Sequence, residues 1–107
     1  MSMDAVFKAL ADPTRRQLLD SLRARNGQTL SELCEHADMT RQAVSKHLAI
    51  LEAANLVATR KSGRERLHYL NPLPIHEIAE RWIGNFERGR LRALGGLKKN
   101  LERKVDE

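Results

Sequence analysis

Residues 40–57, TRQAVSKHLAILEAANLV, constrain the fold more than any other stretch of the chain. Thr40 is a natural helix cap, because its hydroxyl accepts a hydrogen bond from one of the amides that a first turn leaves unpaired. Val44, Leu48 and Leu51 then recur at the spacing of one helical face. Gln42, Ser45, Lys46 and Ala49 occupy the opposite face, with Arg41 in the exposed first turn. Asn55 closes the helix, and Leu56 and Val57 open a stretch whose period is that of a strand. The chain must bury one side of a short helix, leave the other side free, and pass at once into extended structure.

The flanking segments extend this pattern in both directions. Val6, Phe7, Leu10 and Ala11 have helical spacing, with Ser2 or Asp4 as the cap. Asp12 and Pro13 mark the cap and first position of a second helix, whose inner stripe is Leu18, Leu19 and Leu22. Asn26-Gly27 supplies a left-handed stop. A short third helix follows, capped by Thr29 or Ser31, with Leu30, Leu33, Cys34 and Ala37 facing inward. The third and fourth helices, joined by a four-residue turn, read as a helix-turn-helix over about residues 29–54. LVATRK and RLHYL read as strands joined by SGRE, a projecting hairpin or wing over about residues 56–70, and Ser62-Gly63 suits a turn that needs positive φ. After NPLP, Ile75, Ile78, Ala79, Trp82, Ile83 and Phe86 repeat at three and four, and the phase continues through Leu94, Leu97 and Leu101. This predicts one long last helix over about residues 73–103, with Gly89 weakening it and a kink or end near Gly95-Gly96. The expected fold is mainly α with a small β-hairpin, in the order α-α-α-α-β-β-α: a winged helix-turn-helix in a single domain over residues 1–107.

Composition narrows the function. With 41% apolar residues and only 4% aromatics, Leu, Ile, Val and Ala must build the core. Cys34 is the only cysteine, so no intrachain disulfide forms and a reducing compartment is implied. No apolar run is long enough to span a membrane, and MSMDAVFKAL lacks the basic start and long apolar stretch of a signal peptide. A cytoplasmic protein is expected. The chain shows no Gly-rich phosphate loop, no His-Glu metal motif and no nucleophile with a base beside it. Ser45 and His47, two apart on a helix, point to different faces. Neither enzymatic activity nor a cofactor is expected.

Charge points to a polyanion. The chain carries a net charge of +5, unevenly spread. Residues 40–70 hold six basic side chains (Arg41, Lys46, Arg60, Lys61, Arg64, Arg66) against Glu52 and Glu65. Gln pairs in two-pronged fashion with adenine, Arg or Lys with guanine, and a B-DNA major groove admits one helix whose N-terminal residues reach the bases. Thr40, Arg41, Gln42, Ser45 and Lys46 are therefore the candidate readers of double-stranded DNA. Arg60, Lys61, Arg64 and Arg66 are the candidate contacts to backbone or minor groove.

These segments resemble a known family. FKALADPTRRQLLDSL, LSELCEHADMTRQAVSKHLAILEAANLV and RKSGRERLHYL are similar to the ArsR family of bacterial winged helix-turn-helix repressors, over about residues 3–100. The resemblance implies a homodimer built from the first and last helices, here through Val6, Phe7, Ile75, Ile78, Trp82, Ile83 and Phe86, and a fourth helix that reads an operator. The residues argue for the dimer too, since the last helix carries a broad apolar stripe that a chain of 107 residues has little else to cover. A two-fold dimer predicts a pseudo-palindromic operator.

Many relatives carry a Cys-x-Cys metal pair at the start of the third helix. Aligned on SKHL, those positions fall near Thr29 and Ser31, neither of them a soft ligand. Others use Asp and His on the last helix, where this chain has His76 with Glu77 and Glu80 nearby. His36 and Glu32 lie four apart, but Cys34 points off their face, so no metal site is expected. His47 reads as a partly buried, hydrogen-bonded histidine and His68 as a strand position. No inducer is legible. Two other readings stay open: a winged-helix module that binds protein, and a repressor that senses through the Cys34 thiol.

Overall fold

The computed structural model describes residues 3–84, 86 and 88–106. Their order is α1 (Met3–Leu10), α2 (Pro13–Ala24), α3 (Leu30–Glu35), α4 (Arg41–Ala53), β1 (Val57–Ser62), β2 (Glu65–Leu70), α5 (Leu73–Ile83) and α6 (Arg88–Asp106). The chain divides into two compact units, Met1–Glu77 and Ile78–Glu107.

Local chemistry sets the helix boundaries of the first unit. The Asp12 carboxylate accepts from the Thr14 amide at 2.8 Å and the Arg15 amide at 3.1 Å. The Arg15 amide contributes most to holding that carboxyl below its ordinary pKa. Thr29 and Glu32 form a reciprocal capping box on α3, Thr29 accepting from the Glu32 amide and Glu32 from the Thr29 amide. The Thr29 amide likewise keeps the Glu32 carboxyl low. Thr40 caps α4 by accepting from the Ala43 amide at 3.1 Å. At the other end of α4, Asn55 takes φ 60°, the Leu56 amide donates to Leu51 and the Asn55 amide to Glu52. This is a Schellman stop with Asn in place of glycine, and its apolar partners Leu51 and Leu56 are both fully buried.

The core joins Leu18, Leu19 and Leu22 of α2, Leu33 of α3, and Val44, Leu48 and Leu51 of α4 to Leu56 and Val57 at the entry to β1. α1 packs on α2 and α4. Arg15 secures that corner: it donates to the carbonyls of Ala9 and Lys8, and its guanidinium lies 3.3 Å from His47 Nδ1 on α4. His47 is thus the half-buried, hydrogen-bonded residue its position predicts. Val6 is different. Expected at a subunit interface, it is 3% exposed and belongs to this core, because it lies on the side of α1 that packs inward, as Ala9 does.

β1 and β2 pair antiparallel from Val57–Leu70 to Ser62–Glu65, leaving Gly63 and Arg64 as a two-residue turn. Gly63 alone has positive φ, at 62°, which fits the type II′ hairpin turn with glycine first. Gln28 forms an isolated antiparallel bridge to His68, with the His68 amide 2.8 Å from the Gln28 carbonyl oxygen. Gly27, at φ 83°, sits beside the hydroxyl end of the Tyr69 ring, where an added Cβ would lie 3.3 Å from the hydroxyl.

The last segment corrects the expectation of a single long helix with a stop near residue 95. α5 ends at Ile83 and α6 runs from Arg88 straight through Gly95 and Gly96. The break falls at Gly84, where a Cβ would sit 2.6 Å from the Glu80 carbonyl oxygen. Gly95 and Gly96 face open space, so they cost helix propensity without forcing a turn. Among the described residues, no helix is long and apolar enough to cross a membrane.

Candidate nucleic-acid interface

Two elements of the first unit project the candidate residues. On α4, Thr40, Arg41, Gln42, Ser45, Lys46 and Ala49 are all exposed, while Val44, Leu48 and Leu51 are buried beneath them. Gln42, Ser45, Lys46 and Ala49 stand at i, i+3, i+4 and i+7, one continuous face. Small side chains at 45 and 49 leave that face low enough for close approach. Arg41 sits on its flank, donating to the Ser31 hydroxyl of α3 at 3.0 Å. Thr40 is occupied first as the cap.

The wing separates what the sequence groups. Residues directly opposite in an antiparallel ladder share a face. Val57–Leu70, Thr59–His68 and Lys61–Arg66 therefore lie on one side, and Ala58–Tyr69, Arg60–Leu67 and Ser62–Glu65 on the other. Lys61 and Arg66 stand as a facing pair, Arg64 is at the turn, and Arg60 points away from both. The four basic residues do not form one cluster. Two like charges directly opposite destabilise a hairpin, so Lys61–Arg66 is a cost that a bound polyanion would relieve. Lys61→Thr is expected to raise the stability of the free protein by about 0.2–1 kcal/mol while weakening binding to any DNA sequence. Urea melts and anisotropy titrations check the two signs, and a variant less stable than the parent would remove the repulsion argument.

Between α4 and the wing runs a groove of about 350 Å³, lined by Arg41, Ser45 and Glu52 on one side and Arg64, Arg66 and His68 on the other. Sequence reasoning passed over this groove and over Gln28. The Gln28 side chain is buried, its amide donating to the carbonyls of Ser21 and Arg25. It fixes the segment that pairs with His68, and no local pattern signals a partner 40 residues away.

The helix-turn-helix domain family matches residues 10–60. The chain is 43% identical to the uncharacterized HTH-type transcriptional regulator YuzN of Bacillus subtilis, over 75% of this chain and 94% of that one. It is 33% identical to the transcriptional repressor SdpR of the same organism, over 78% and 91%. Its fold superposes on an ArsR-like transcriptional regulator from Rhodococcus sp. RHA1 with a TM-score of 0.68 at 30% identity, covering 98% of this chain and 92% of that one. The chain belongs to the ArsR family. As such it is a winged helix-turn-helix, DNA-binding transcriptional regulator.

The positions where many ArsR proteins hold metal are otherwise engaged here. Thr29 is tied into the α3 capping box and the Ser31 hydroxyl accepts from Arg41. These residues do not fit a thiophilic ion. Among the described residues, no three His, Cys, Asp or Glu side chains gather to hold a metal. Cys34 is half-buried on α3, and Leu33 beside it is the residue that fills the core.

Proposed function

We propose that this ArsR-family protein is a cytoplasmic, dimeric repressor that lays α4 in the major groove and the wing along the backbone or the minor groove. The observation that carries the reading is the exposed face Gln42, Ser45, Lys46 and Ala49 on a capped helix whose other side is fully buried. A rigid helix with a free polar face is what base readout requires. The relative SdpR is named a transcriptional repressor, which supports the direction of control. The dimer is supported by apolar surface on terminal elements: Phe7 on α1, Ile75, Trp82 and Ile83 on α5, and Phe86 after it are all exposed, with Ile78 half-buried. A two-fold pair of α4 helices then calls for a pseudo-palindromic operator with half-sites about one helical turn apart, or a multiple of that.

The test is fluorescence anisotropy with the promoter of the protein's own transcription unit and with a random duplex, across a salt series. Preference for the promoter of about 10³-fold or more, with a steep salt slope, is the expected result. Equal, weak binding to both would overturn the repressor reading. Within that assay, Gln42→Ala is expected to lose about 1–3 kcal/mol of discrimination between sequences. Arg64→Ala is expected to weaken all sequences alike and to flatten the salt slope by about one. Equal behaviour of the two variants on promoter and random DNA would break the division between base-reading helix and backbone-holding wing.

A further inference from the structure

We propose that the groove between α4 and the wing is a seat for one phosphate group, with the buried imidazole of His68 as the contact that makes DNA binding take up a proton. The proposal rests on the DNA-binding reading and adds to it a residue and a pH dependence that the sequence does not announce.

His68 is 94% buried yet lines the groove. Its Nδ1 lies 2.9 Å from the Gln28 carbonyl oxygen. A carbonyl only accepts, so Nδ1 carries the proton in the neutral ring and Nε2 presents a lone pair. Among the described residues Nε2 has no protein partner, and no buried side-chain nitrogen or oxygen is sealed away unpaired. Nε2 therefore opens to the groove. As a lone pair it gives a phosphate oxygen nothing. Once protonated it becomes a donor held rigid by the Gln28 bond, and an ionised donor on a phosphate oxygen is among the stronger hydrogen bonds a protein makes.

The surroundings make the coupling one of proton to ligand. Arg41 reaches the groove from α4, and Arg64 and Arg66 from the wing, with Lys61 facing Arg66 across the hairpin. These cations give the groove a positive rim. Glu52 and Glu65 also line it. Glu52 stands eleven residues along α4 from Arg41, roughly 16 Å at 1.5 Å per residue, whereas Glu65 lies between Arg64 and Arg66 on the wing. The start of α3 contributes Thr29, Leu30 and Ser31, none of them charged. A phosphate seated among Arg41, Arg66 and His68 reverses the balance of charge on the ring, so phosphate and proton bind together. The phosphate can come from the DNA backbone or from a free phosphorylated molecule.

The experiment measures affinity of the full chain for a random duplex at pH 8 and pH 6 at fixed ionic strength, beside NMR titration of the His68 ring in the free protein, with duplex, and with inorganic phosphate. Wild type is expected to tighten by about tenfold toward pH 6. His68→Asn, whose amide replaces the Nδ1–H bond to Gln28 and lacks the second nitrogen, is expected to lose most of that gain. The titration midpoint of His68 is expected to rise on adding duplex. A rise with inorganic phosphate as well assigns the seat to phosphate in general, and a rise with duplex alone assigns it to the backbone. A midpoint unmoved by both, or a His68→Asn profile that parallels wild type, overturns the proposal. The NMR arm holds even if the variant does not fold. Tight duplex binding with an unmoved His68 would sink the seat alone, whereas no duplex binding at either pH would sink the DNA-binding reading itself.

Discussion

Trp82→Glu is expected to break the proposed dimer and to lower affinity for the operator by about 10²-fold or more. Trp82 is 57% exposed on α5, in a run with Ile75 and Ile83, and Arg81 lies over its ring at 5.5 Å. A large aromatic with an adjacent cation is a typical anchor of a protein interface. The expected loss follows from multivalency. A dimer places its second α4 at a high effective concentration once the first is bound, a gain of about 10²–10⁴ that a monomer forfeits. A carboxylate buried against a partner's apolar surface also carries its own desolvation cost. Sedimentation velocity gives the mass and anisotropy gives the affinity. A variant that sediments as wild type would mean that Trp82 lies outside the interface. A monomeric variant with undiminished affinity would mean that one α4 and one wing suffice for binding.

Leu51→Ala carries the second large effect, on stability. Leu51 is fully buried, it is the residue whose carbonyl accepts the Schellman bond from Leu56, and both side chains pack into the core between α4 and β1. Truncation leaves a cavity where helix, stop and strand meet, and is expected to cost about 2–5 kcal/mol. Domains of this size have about 5–15 kcal/mol in all, so a large fraction of the folding free energy is at stake. Ile50, the neighbour in sequence, is 43% exposed. Ile50→Ala is expected to change stability by about 0.5 kcal/mol or less. Urea melts of the pair provide the comparison. Equal losses would mean that Ile50 is covered in solution, which would direct attention to a subunit contact at that side of α4.

The contrast between those two neighbours also shows what was readable before any fold was known. Helix caps, stripes and stops are properties of contiguous residues, so Asp12, Thr29, Thr40 and Asn55 announced four boundaries, and Val44, Leu48 and Leu51 announced the buried side of α4. The free face of Gln42, Ser45, Lys46 and Ala49 follows from that phase alone. So does the hairpin, because Gly63 is the one residue there suited to a positive φ. Tertiary structure decided the rest, wherever the answer depended on residues far apart in the chain. Val6 and Phe7 are adjacent in one amphipathic stretch, and only the packing of α1 on α2 and α4 buried the first and left the second exposed. A hairpin's register assigns each residue to a face, and it set Arg60 against Leu67, away from the Lys61–Arg66 pair. α5 ends at Ile83, well before the glycine pair at 95 and 96, which α6 runs through. Arg15 binds α1 and α4 at once, and Gln28 turns the imidazole of His68 into the wall of a groove. Composition and periodicity carry no record of such pairings, because they come into being only when separate elements are brought together.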